Sequence, residues 1–317
     1  MYEGAESLSI AAPAKVNLFL DVLGKRSDGY HDLRSLVVPV SLVDELRLER
    51  TAGAIEAVCD GSELPDGHAR LVPGSADNLA VRAARRLQSA TGYRGGVRIH
   101  IHKRIPVGGG MGGGSADAAA ALVGINALWG TGLDRASLMA LGAELGSDIP
   151  ALVQGGAVCM EGRGERVTSI ACQWPDGTEW WLLLVNPGFS VPTADVYGRF
   201  RTGLTSPDET FSNAKCALER GSVTLAAASL HNALERVVFV KYPLLRIVAE
   251  RLKAAGALGV LLSGSGASIF ALAADRRHAE QMEKRIGCDT GCPLWTRVAQ
   301  VLPDGVMAAH GPLEARA

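Results

Sequence analysis

Apolar and polar residues alternate with the period of β-strands at several places in the first part of the chain. Residues 8–23 place Lys15 and Asn17 on one face of a predicted strand, with small and branched apolar residues on the other. Residues 36–50 form a second predicted strand. Residues 96–104 form a third, in which Val and Ile alternate with Arg and His. The pattern therefore predicts a half-buried sheet in this part of the protein.

Helical spacing and terminal glycines predict most of the remaining elements. The predicted helices cover residues 77–90, 116–129, 135–145, 222–235, 243–255 and 276–286, the first opened by Ser75 or Asp77. Further strands are predicted at 156–161, 180–186, 258–262, 269–273 and 294–301, with a polar loop at 201–213. Two consecutive helices between 116 and 145 break the alternation of a parallel sheet, which indicates an α+β fold. We predict two domains, 1–160 and 161–317, the second ending in a frayed tail.

Composition narrows the class of protein. The 317 residues carry 32 basic and 33 acidic side chains, so no basic excess is available to bind nucleic acid. No apolar run approaches the roughly 18 residues of a membrane span, and the first residues lack a signal-peptide charge pattern. Six irregularly spaced cysteines predict neither a disulfide framework nor a zinc site. We expect a cytoplasmic protein without a membrane or nucleic-acid partner.

Glycine is over-represented, with 38 residues, and its densest cluster lies between a predicted strand and a predicted helix. Six of the seven residues from Gly108 to Gly114 are glycine, interrupted by Met111. A backbone without Cβ atoms can curl and point several N–H groups at one anion, and the following helix adds its positive end. Ser115 lies at the predicted N-cap and offers a hydroxyl to a phosphate or Mg²⁺. The segment predicts a phosphate-binding loop, although a tightly packed turn would also use glycine.

Two other phosphate loops fit this segment less well. No Gly-Lys-Ser/Thr follows the glycines, so the segment is not a Walker A loop. Gly108, Gly110 and Gly113 satisfy G-x-G-x-x-G, but a dinucleotide fold needs a strand ending in an acid about 20 residues later. A helix with Asp134 at its start is predicted there instead. The pattern therefore disfavours a nicotinamide enzyme.

Four further segments accompany the loop: Ala-Pro-Ala-Lys-Val-Asn-Leu at 12–18, Arg-Ser-Asp-Gly-Tyr-His-Asp-Leu at 26–33, Leu-Gly-Ser-Asp-Ile-Pro at 145–150 and Leu-Ser-Gly-Ser-Gly-Ala-Ser at 262–268. With them, the chain from about 8 to 301 resembles the superfamily of galactokinase, homoserine kinase, mevalonate kinase and phosphomevalonate kinase. The first two segments resemble the branch that serves non-mevalonate isoprenoid synthesis. Met111 replaces the usual Leu, and Ala116 supplies no hydroxyl where many members of that branch have a second Ser.

The resemblance implies a two-lobed small-molecule kinase fold, with an N-terminal lobe like domain 2 of ribosomal protein S5 and a ferredoxin-like C-terminal lobe. It implies ATP and Mg²⁺ as cofactors, and a cytidine diphosphate-linked methylerythritol phosphorylated on its 2-hydroxyl. We expect a monomer or a weak homodimer. The sequence names no metal ligand. A kinase for another small alcohol, such as homoserine or mevalonate, and a non-catalytic ATP-binding relative remain alternatives.

The candidate catalytic residues are Lys15 and Asp148. Asp148 follows a helix stop and precedes Ile-Pro, which by itself is typical of a helix N-cap. A lysine in a largely apolar strand either serves as a solubilising edge residue or needs a charged partner. The resemblance implies that Asp148 is the base and that Lys15 lies beside it.

The remaining candidates divide into three groups. Substrate-binding candidates are Asn17, Tyr30, His31, Thr193 and Tyr197, with Phe200 as an alternative to Tyr197. ATP-binding candidates are Asn78, Lys103, Pro106, Val107, Gly108, Gly109, Gly110, Met111, Gly112, Gly113, Gly114, Ser115 and Ala116. Gly264 and Gly266 are predicted to support a turn near the site. Each group also has a non-functional interpretation. The aromatic residues could simply pack in a loop, Asn78 could cap a helix and Lys103 could be a strand-end charge. Gly264 and Gly266 could form a plain hairpin turn.

Overall fold

The computed structural model describes residues 6–74, 76–200, 208–289 and 293–305, with the backbone alone described for residues 288 and 289. The strands are β1 (Ser7–Lys25), β2 (His31–Thr51), β3 (Ile55–Asp60), β4 (Gly96–His102), β5 (Val158–Gly162), β6 (Arg166–Ser169), β7 (Trp181–Asn186), β8 (His231–Asn232), β9 (Gly259–Leu262), β10 (Ile269–Ala273) and β11 (Trp295–Gln300). The helices are α1 (Leu79–Thr91), α2 (Gly113–Trp129), α3 (Arg135–Ala143), α4 (Ile149–Gln154), α5 (Thr193–Arg199), α6 (Asp208–Arg220), α7 (Val223–Ala228), α8 (Glu235–Lys241), α9 (Pro243–Ala254) and α10 (Arg276–Asp289), and His68–Leu71 form a 3₁₀ turn.

The first sheet is built around the long antiparallel pair β1 and β2. Its strands lie in the order β3, β4, β2, β1 and β8, and β5 pairs with β2 and with β6. Helix α2 packs on β1 and β2, with α1 and α4 beside it. Five buried alanines and Gly124 on α2 allow this close packing, because a Cβ on Gly124 would meet Leu48 at 2.5 Å. The glycine loop before α2 therefore lies at the edge of a rigid core.

The second sheet is antiparallel in the order β11, β7, β10 and β9, with α9 and α10 packed against it. All five residues of β10 are buried, since this strand is central and carries Phe270 in the core. Apart from the short β8, the strands of the first sheet end at Ser169 and those of the second begin at Trp181. The predicted division after residue 160 falls inside β5 of the first sheet. The predicted frayed tail lies outside the described residues.

Several predicted elements need correction. Helix α1 is capped by Asn78, whose side chain accepts the N–H of Ala80, and begins after Asp77. Ser75 lies outside the described residues. The helix predicted over 222–235 is divided into α7, β8 and α8, because Asn232 donates to the carbonyls of Leu262 and Gly264. A long-range side-chain contact of this kind leaves no local signal.

The polar segment predicted as a loop at 201–213 contains the start of α6 at Asp208. Residues 201–207 lie outside the described residues. Ala214, Ala217 and Leu218 recur at helical spacing and are buried, which explains why the segment folds onto the core despite its polar first turn. Among the described residues, no helix has both the length and the apolarity that a bilayer crossing requires.

Candidate active site

A cavity of about 800 Å³ opens beside the glycine loop and is lined by both lobes. The first lobe contributes β1, the 108–115 segment and the start of α4, and the second contributes α5 and the turn around Gly264. This volume is within the usual range for small-molecule sites. The predicted site residues can therefore be tested by whether they meet here.

The glycine loop runs directly into α2. The helix begins at Gly113, three residues before the predicted start, and Gly112 is the N-cap in a left-handed conformation. Ser115 is therefore the third helical residue and not the cap. No side chain caps this end, and Gly112–Ser115 line the cavity. A helix N-terminus with its first residues open to a cavity is suited to bind phosphate.

Glycine is needed in the loop because the second lobe approaches it closely. A Cβ on Gly110 would meet the carbonyl oxygen of Ser263 at 2.1 Å, and Gly110 has φ +78°. The Ser263 hydroxyl donates to the Gly110 carbonyl at 3.0 Å, and the Ser268 N–H donates to the Gly109 carbonyl at 2.9 Å. These bonds hold the loop between the two lobes.

Lys15 lies at the centre of the site, held in place by a chain of hydrogen bonds. Its Nζ donates to Asn17 Oδ1 at 2.7 Å, and Asn17 Nδ2 donates to Ser35 Oγ at 2.8 Å. The Lys15 stem passes beside Gly112, where a Cβ would meet its Cγ and Cε at 3.2 Å. The Lys15 backbone N–H also donates to the Met111 carbonyl. Strand β1 and the loop thus fix the position of this ammonium group.

Asp148 precedes α4 and faces Lys15. Its Oδ2 lies 3.5 Å from Lys15 Nζ, and the side chains are 36% and 6% exposed, respectively. Asp148 occupies the N-cap position of α4, but its side chain makes no capping hydrogen bond. The carboxylate is therefore available to a ligand in the cavity, which the simple N-cap interpretation does not explain.

Aromatic residues gather at the far end of the cavity. The rings of His31 and Tyr197 have centroids 5.3 Å apart, Phe200 meets His31 edge-on, and Tyr30 is 54% exposed. Burial, with a smaller contribution from Lys25, lowers the pKa of His31, which favours the neutral ring. Burial and the nearby Asp148 raise the pKa of Tyr197, so its hydroxyl stays protonated. Neutral rings that can hydrogen-bond suit a planar heterocycle.

Thr193 begins α5 beside this aromatic cluster. Its Oγ1 lies 2.9 Å from the hydroxyl of Ser265, on the turn that follows β9. Both residues line the cavity. The contact connects the aromatic end of the site to the turn that also packs on the glycine loop.

Lys103 lines the cavity but is enclosed by two acids. Its Nζ donates to Asp44 Oδ2 and, at 2.7 Å, to Asp117 Oδ2, and all three side chains are at most 5% exposed. Burial lowers the pKa of Lys103, but attraction to Asp117 and Asp44 outweighs it and raises the value to about 12. The ammonium is therefore charged and already paired.

The two acids around Lys103 differ. Asp44 Oδ1 also accepts the backbone N–H groups of Arg104 and Ile105, whereas Asp117 Oδ1 is buried with no hydrogen-bond partner. Burial raises the pKa of Asp117 to about 7, against the lowering effect of Lys103. Burial therefore favours the protonated form of Asp117.

The structure brings most of the predicted residues into this one cavity. Those that line it are Lys15, Asn17, Tyr30, His31, Asn78, Lys103, Pro106, Val107, Gly108, Gly109, Gly110, Gly112, Gly113, Gly114, Ser115, Asp148, Thr193, Tyr197 and Gly264. Met111 and Ala116 do not line it, because both side chains are fully buried in the first core. Gly266 stands behind the loop, where its N lies 2.9 Å from the position of a Cβ on Gly110.

Sequence reasoning missed other residues that line the cavity. Asp117 follows the loop in the first turns of α2, Arg163 lies on the β5–β6 turn, and Lys25 ends β1. Asp44, which pairs with Lys103, was missed as well. An aspartate within a run of alanines was a visible signal for Asp117. For Arg163, the only local signal in the sequence was its position between two glycines.

Family comparisons agree with this geometry. The family models for the GHMP kinases N terminal domain and the GHMP kinases C terminal region match residues 78–156 and 215–291. The first match contains the glycine loop and Asp148, and the second contains the turn around Gly264. The fold and the site together define a small-molecule kinase of the GHMP type.

Individual relatives narrow the family further. A 4-diphosphocytidyl-2-C-methyl-D-erythritol kinase of Pelotomaculum thermopropionicum is 42% identical over 279 residues, which cover 88% of this chain and 93% of the relative. A crystal structure of 4-(cytidine 5'-diphospho)-2C-methyl-D-erythritol kinase matches with a TM-score of 0.72 and 36% identity, covering 92% of this chain and 99% of the other. The chain belongs to the 4-diphosphocytidyl-2-C-methyl-D-erythritol kinase family.

Homoserine kinase from Cytophaga hutchinsonii has a similar fold, with a TM-score of 0.75, 21% identity and coverage of 95% of this chain and 97% of the other. At that identity the likeness concerns the fold alone. The chain is an ATP-dependent small-molecule kinase, and the resemblance and the two-lobed α+β fold predicted from its motifs are confirmed.

Proposed function

We propose that the protein transfers the γ-phosphoryl group of ATP to the 2-hydroxyl of 4-diphosphocytidyl-2-C-methyl-D-erythritol, giving the 2-phosphate and ADP. The observation that carries the proposal is the Lys15–Asp148 pair, 3.5 Å apart in the cavity that the glycine loop also lines. Phosphoryl transfer needs alignment of the hydroxyl with the γ-phosphate, neutralisation of charge and removal of the hydroxyl proton. Each need has a candidate group in this cavity.

The glycine loop and the N-terminus of α2 supply the phosphate site. Backbone N–H groups and the positive end of the helix favour a triphosphate there. Asn78, Pro106 and Val107 line the cavity near the loop and are proposed to contact the nucleoside. We propose that the enclosed Lys103 supports this wall of the nucleotide site and is not a free phosphate ligand.

Asp148 and Lys15 act at the acceptor hydroxyl. Asp148 is proposed to accept the hydroxyl proton as the oxygen attacks the γ-phosphorus, while Lys15 neutralises charge on the acceptor oxygen and the transferring phosphoryl group. Asn17 and Ser35 hold the ammonium in position through hydrogen bonds. The pair therefore needs no large rearrangement to reach a hydroxyl placed beside it.

The aromatic end of the cavity is proposed to bind the cytosine. Tyr30 and Tyr197 offer ring faces, and the neutral His31 offers one hydrogen-bond donor and one acceptor. Thr193 is proposed to contact the acceptor near the turn at Gly264. A homoserine or mevalonate acceptor has no ring for this cluster to contact, which favours the cytidine-linked substrate.

Magnesium is proposed to accompany ATP. The Ser115 hydroxyl is an oxygen donor that lines the cavity beside the loop, and Mg²⁺ prefers oxygen ligands and phosphates. Ser115 is the proposed protein contact of the ion. When bound, the ion would neutralise phosphate charge. Within the described residues, no group of three or more His, Cys, Asp or Glu is placed to hold a metal.

The decisive experiment is a coupled ADP-release assay with the cytidylated methylerythritol, homoserine and mevalonate as acceptors. Turnover with the first acceptor alone, together with phosphorus NMR of a 2-phosphate product, is the expected result. Faster turnover with a plain alcohol would reject the proposed substrate, and ATP binding without any turnover would reject the proposed reaction.

The product would serve non-mevalonate isoprenoid precursor synthesis. A cytoplasmic location and a monomer or weak homodimer are part of the same proposal. Size-exclusion chromatography with light scattering tests the oligomeric state, and a tight dimer would contradict it.

A further inference from the structure

Arg163 is a cation at the acceptor end of the cavity with no assigned role. It lies on the short turn between β5 and β6, is half-buried and lines the cavity. Its guanidinium carbon lies 4.9 Å from the centroid of the Tyr30 ring. A cation over an aromatic face is attracted by the negative face of the ring. The contact places a positive charge next to a ring proposed to hold the cytosine.

The basic residues that line the cavity, within the described part of the chain, differ in how their charges are balanced. Lys15 faces Asp148, and Lys103 lies between Asp44 and Asp117. The described residues place no carboxylate within 4.0 Å of the Arg163 guanidinium. Asp28 is near enough to attract it but is paired with Arg26. Arg163 can therefore receive an anion without first giving up an ion pair.

The turn that carries Arg163 is fixed beside the catalytic segment. Gly164 has φ +116°, and a Cβ there would lie 3.0 Å from the carbonyl oxygen of Ser147. The Arg163 backbone N–H donates to the Glu165 carboxylate at 2.6 Å. The turn backbone is thus packed against Ser147, the residue before Asp148, while the Arg163 guanidinium lies over the Tyr30 ring.

Lys25 is the other lining cation without a carboxylate within 4.0 Å among the described residues. It is exposed, whereas the Arg163 side chain is half-buried and rests on the Tyr30 ring. A guanidinium held by a ring loses less conformational freedom on binding an anion than a free lysine, and its planar fork can bind two phosphate oxygens. Of the two cations, Arg163 is the better placed for recognition.

We propose that Arg163 is a substrate-binding residue whose guanidinium binds the diphosphate of the cytidine-linked acceptor. This inference rests on the proposed function, because a plain alcohol carries no diphosphate. The two phosphates of that acceptor would enter a partly enclosed cavity and need a counter-charge there, which the Arg163 guanidinium can supply. Arg163 would then select cytidine diphosphate-linked acceptors over uncharged nucleosides that fit the same ring cluster.

Isothermal titration calorimetry with cytidine and cytidine 5'-diphosphate tests this directly. The ATP site is first filled with a non-hydrolysable ATP analogue, so that the diphosphate cannot bind there. For Arg163→Gln we expect the Kd of cytidine 5'-diphosphate to rise about tenfold or more, as for loss of a charged hydrogen bond, with less than about a twofold change for cytidine. Arg163→Lys should recover part of the difference, because it keeps the charge but not the fork.

Arg166→Gln is the matched control. Arg166 is an exposed arginine three residues later on β6 and does not line the cavity. The Arg166→Gln variant should leave both Kd values and the acceptor KM unchanged. In steady-state assays, Arg163→Gln should raise the acceptor KM about tenfold while the KM for ATP stays constant. An unchanged Tm would show that the variant is folded.

Two results would overturn the proposal. Equal weakening of cytidine and cytidine 5'-diphosphate would mean that Arg163 only supports the Tyr30 ring, and no change in either Kd would mean that it contacts neither. The proposed function fails in a different way: the wild-type protein would bind neither ligand and would phosphorylate a plain alcohol. That outcome would overturn both proposals, whereas the first two affect Arg163 alone.

Discussion

Two lysines line the same cavity in opposite environments. Lys15 faces a carboxylate that is 36% exposed, at 3.5 Å, and shares its ammonium with Asn17. Lys103 is enclosed by Asp44 and Asp117, both nearly inaccessible to solvent. An ammonium with one partly solvated partner can also serve a ligand, whereas one between two buried acids is already saturated. The difference supports the proposed roles, catalysis for Lys15 and structural support for Lys103.

The comparison corrects a simple rule that a lysine near a phosphate loop binds phosphate. Lys103 follows β4 and precedes the glycine loop in sequence, yet it ties β2 and α2 together. Lys15 is distant from the loop in sequence but packs against Gly112. Distance along the chain alone therefore does not show which lysine is already paired with buried acids. The following variants separate the two roles.

The largest effect is expected for Asp148→Asn. Removing the base should lower kcat by about 10²–10⁴-fold with little change in Tm. Asp134→Asn is the matched control, because Asp134 is an N-cap whose side chain does accept an N–H, from Ser137, and it lies outside the cavity lining. It should cost stability and leave kcat unchanged. If Asp148→Asn behaves like Asp134→Asn, Asp148 is a cap and the catalytic assignment is wrong.

Lys103→Met should give the largest loss of stability. Removing one partner of a buried ion pair typically costs about 3–5 kcal/mol, because charge is left uncompensated. Urea unfolding followed by circular dichroism measures the change in the free energy of unfolding. Lys284→Met, an exposed lysine on α10, should change it by less than about 0.5 kcal/mol. A similar small change for Lys103→Met would show that the enclosed pair contributes no stability.

Lys15→Met should lower activity strongly and stability only slightly, the reverse of what we expect for Lys103→Met. We expect kcat to fall about 10²-fold, since one preorganised charge at the transferring phosphoryl group is lost. The free energy of unfolding should fall by only about 1 kcal/mol, because one hydrogen bond to Asn17 is lost and the Met side chain fills the space of the stem. Steady-state kinetics and urea unfolding of the same preparation give both numbers. A stability loss as large as that of Lys103→Met would remove the contrast between the two lysines.

The last expected effect concerns the pH dependence of stability. The pKa of Asp117 is raised by burial to about 7, so the folded protein holds a proton that the unfolded chain releases near the ordinary value of 3.8. This contribution to stability is present at low pH and is lost as pH rises from about 4 to 7, at no more than about 1.4 kcal/mol per pH unit. Asp117→Asn removes this pH-dependent contribution. The stability of the variant relative to the wild type should therefore increase across this window in urea unfolding, and parallel pH curves would refute the raised pKa.

The long strands, the glycine loop and the family motifs were readable from local patterns. Strand β1, the helix stop at Gly130 and the turn at Gly264 depend on neighbouring residues, which the sequence shows directly. The break in the predicted helix at Asn232 has no such local signal, because it results from hydrogen bonds to residues about 30 positions away. The N-terminus of α2 was misplaced because a helix start within a glycine tract has no capping side chain to mark it.

The candidate site divides in the same way. Lys15, Tyr30 and Asp148 were named from motifs, since each stands in a short segment that resembles the family. Asp44 and Arg163 were not, because their importance depends on which charge or ring they face across the fold. Burial decides whether a charge is free or already paired, and burial is a property of the packed chain.

The sequence by itself determined the kinase family, and it named the glycine loop proposed to bind phosphate and the residues proposed for catalysis, because these lie in contiguous motifs. Tertiary structure alone decided that Lys103 is enclosed, that Asp148 does not cap its helix and that Arg163 rests on Tyr30. Each of these depends on distances between residues far apart in the chain. Those distances set which charges are solvated and which are neutralised, and so which side chains can act on a ligand.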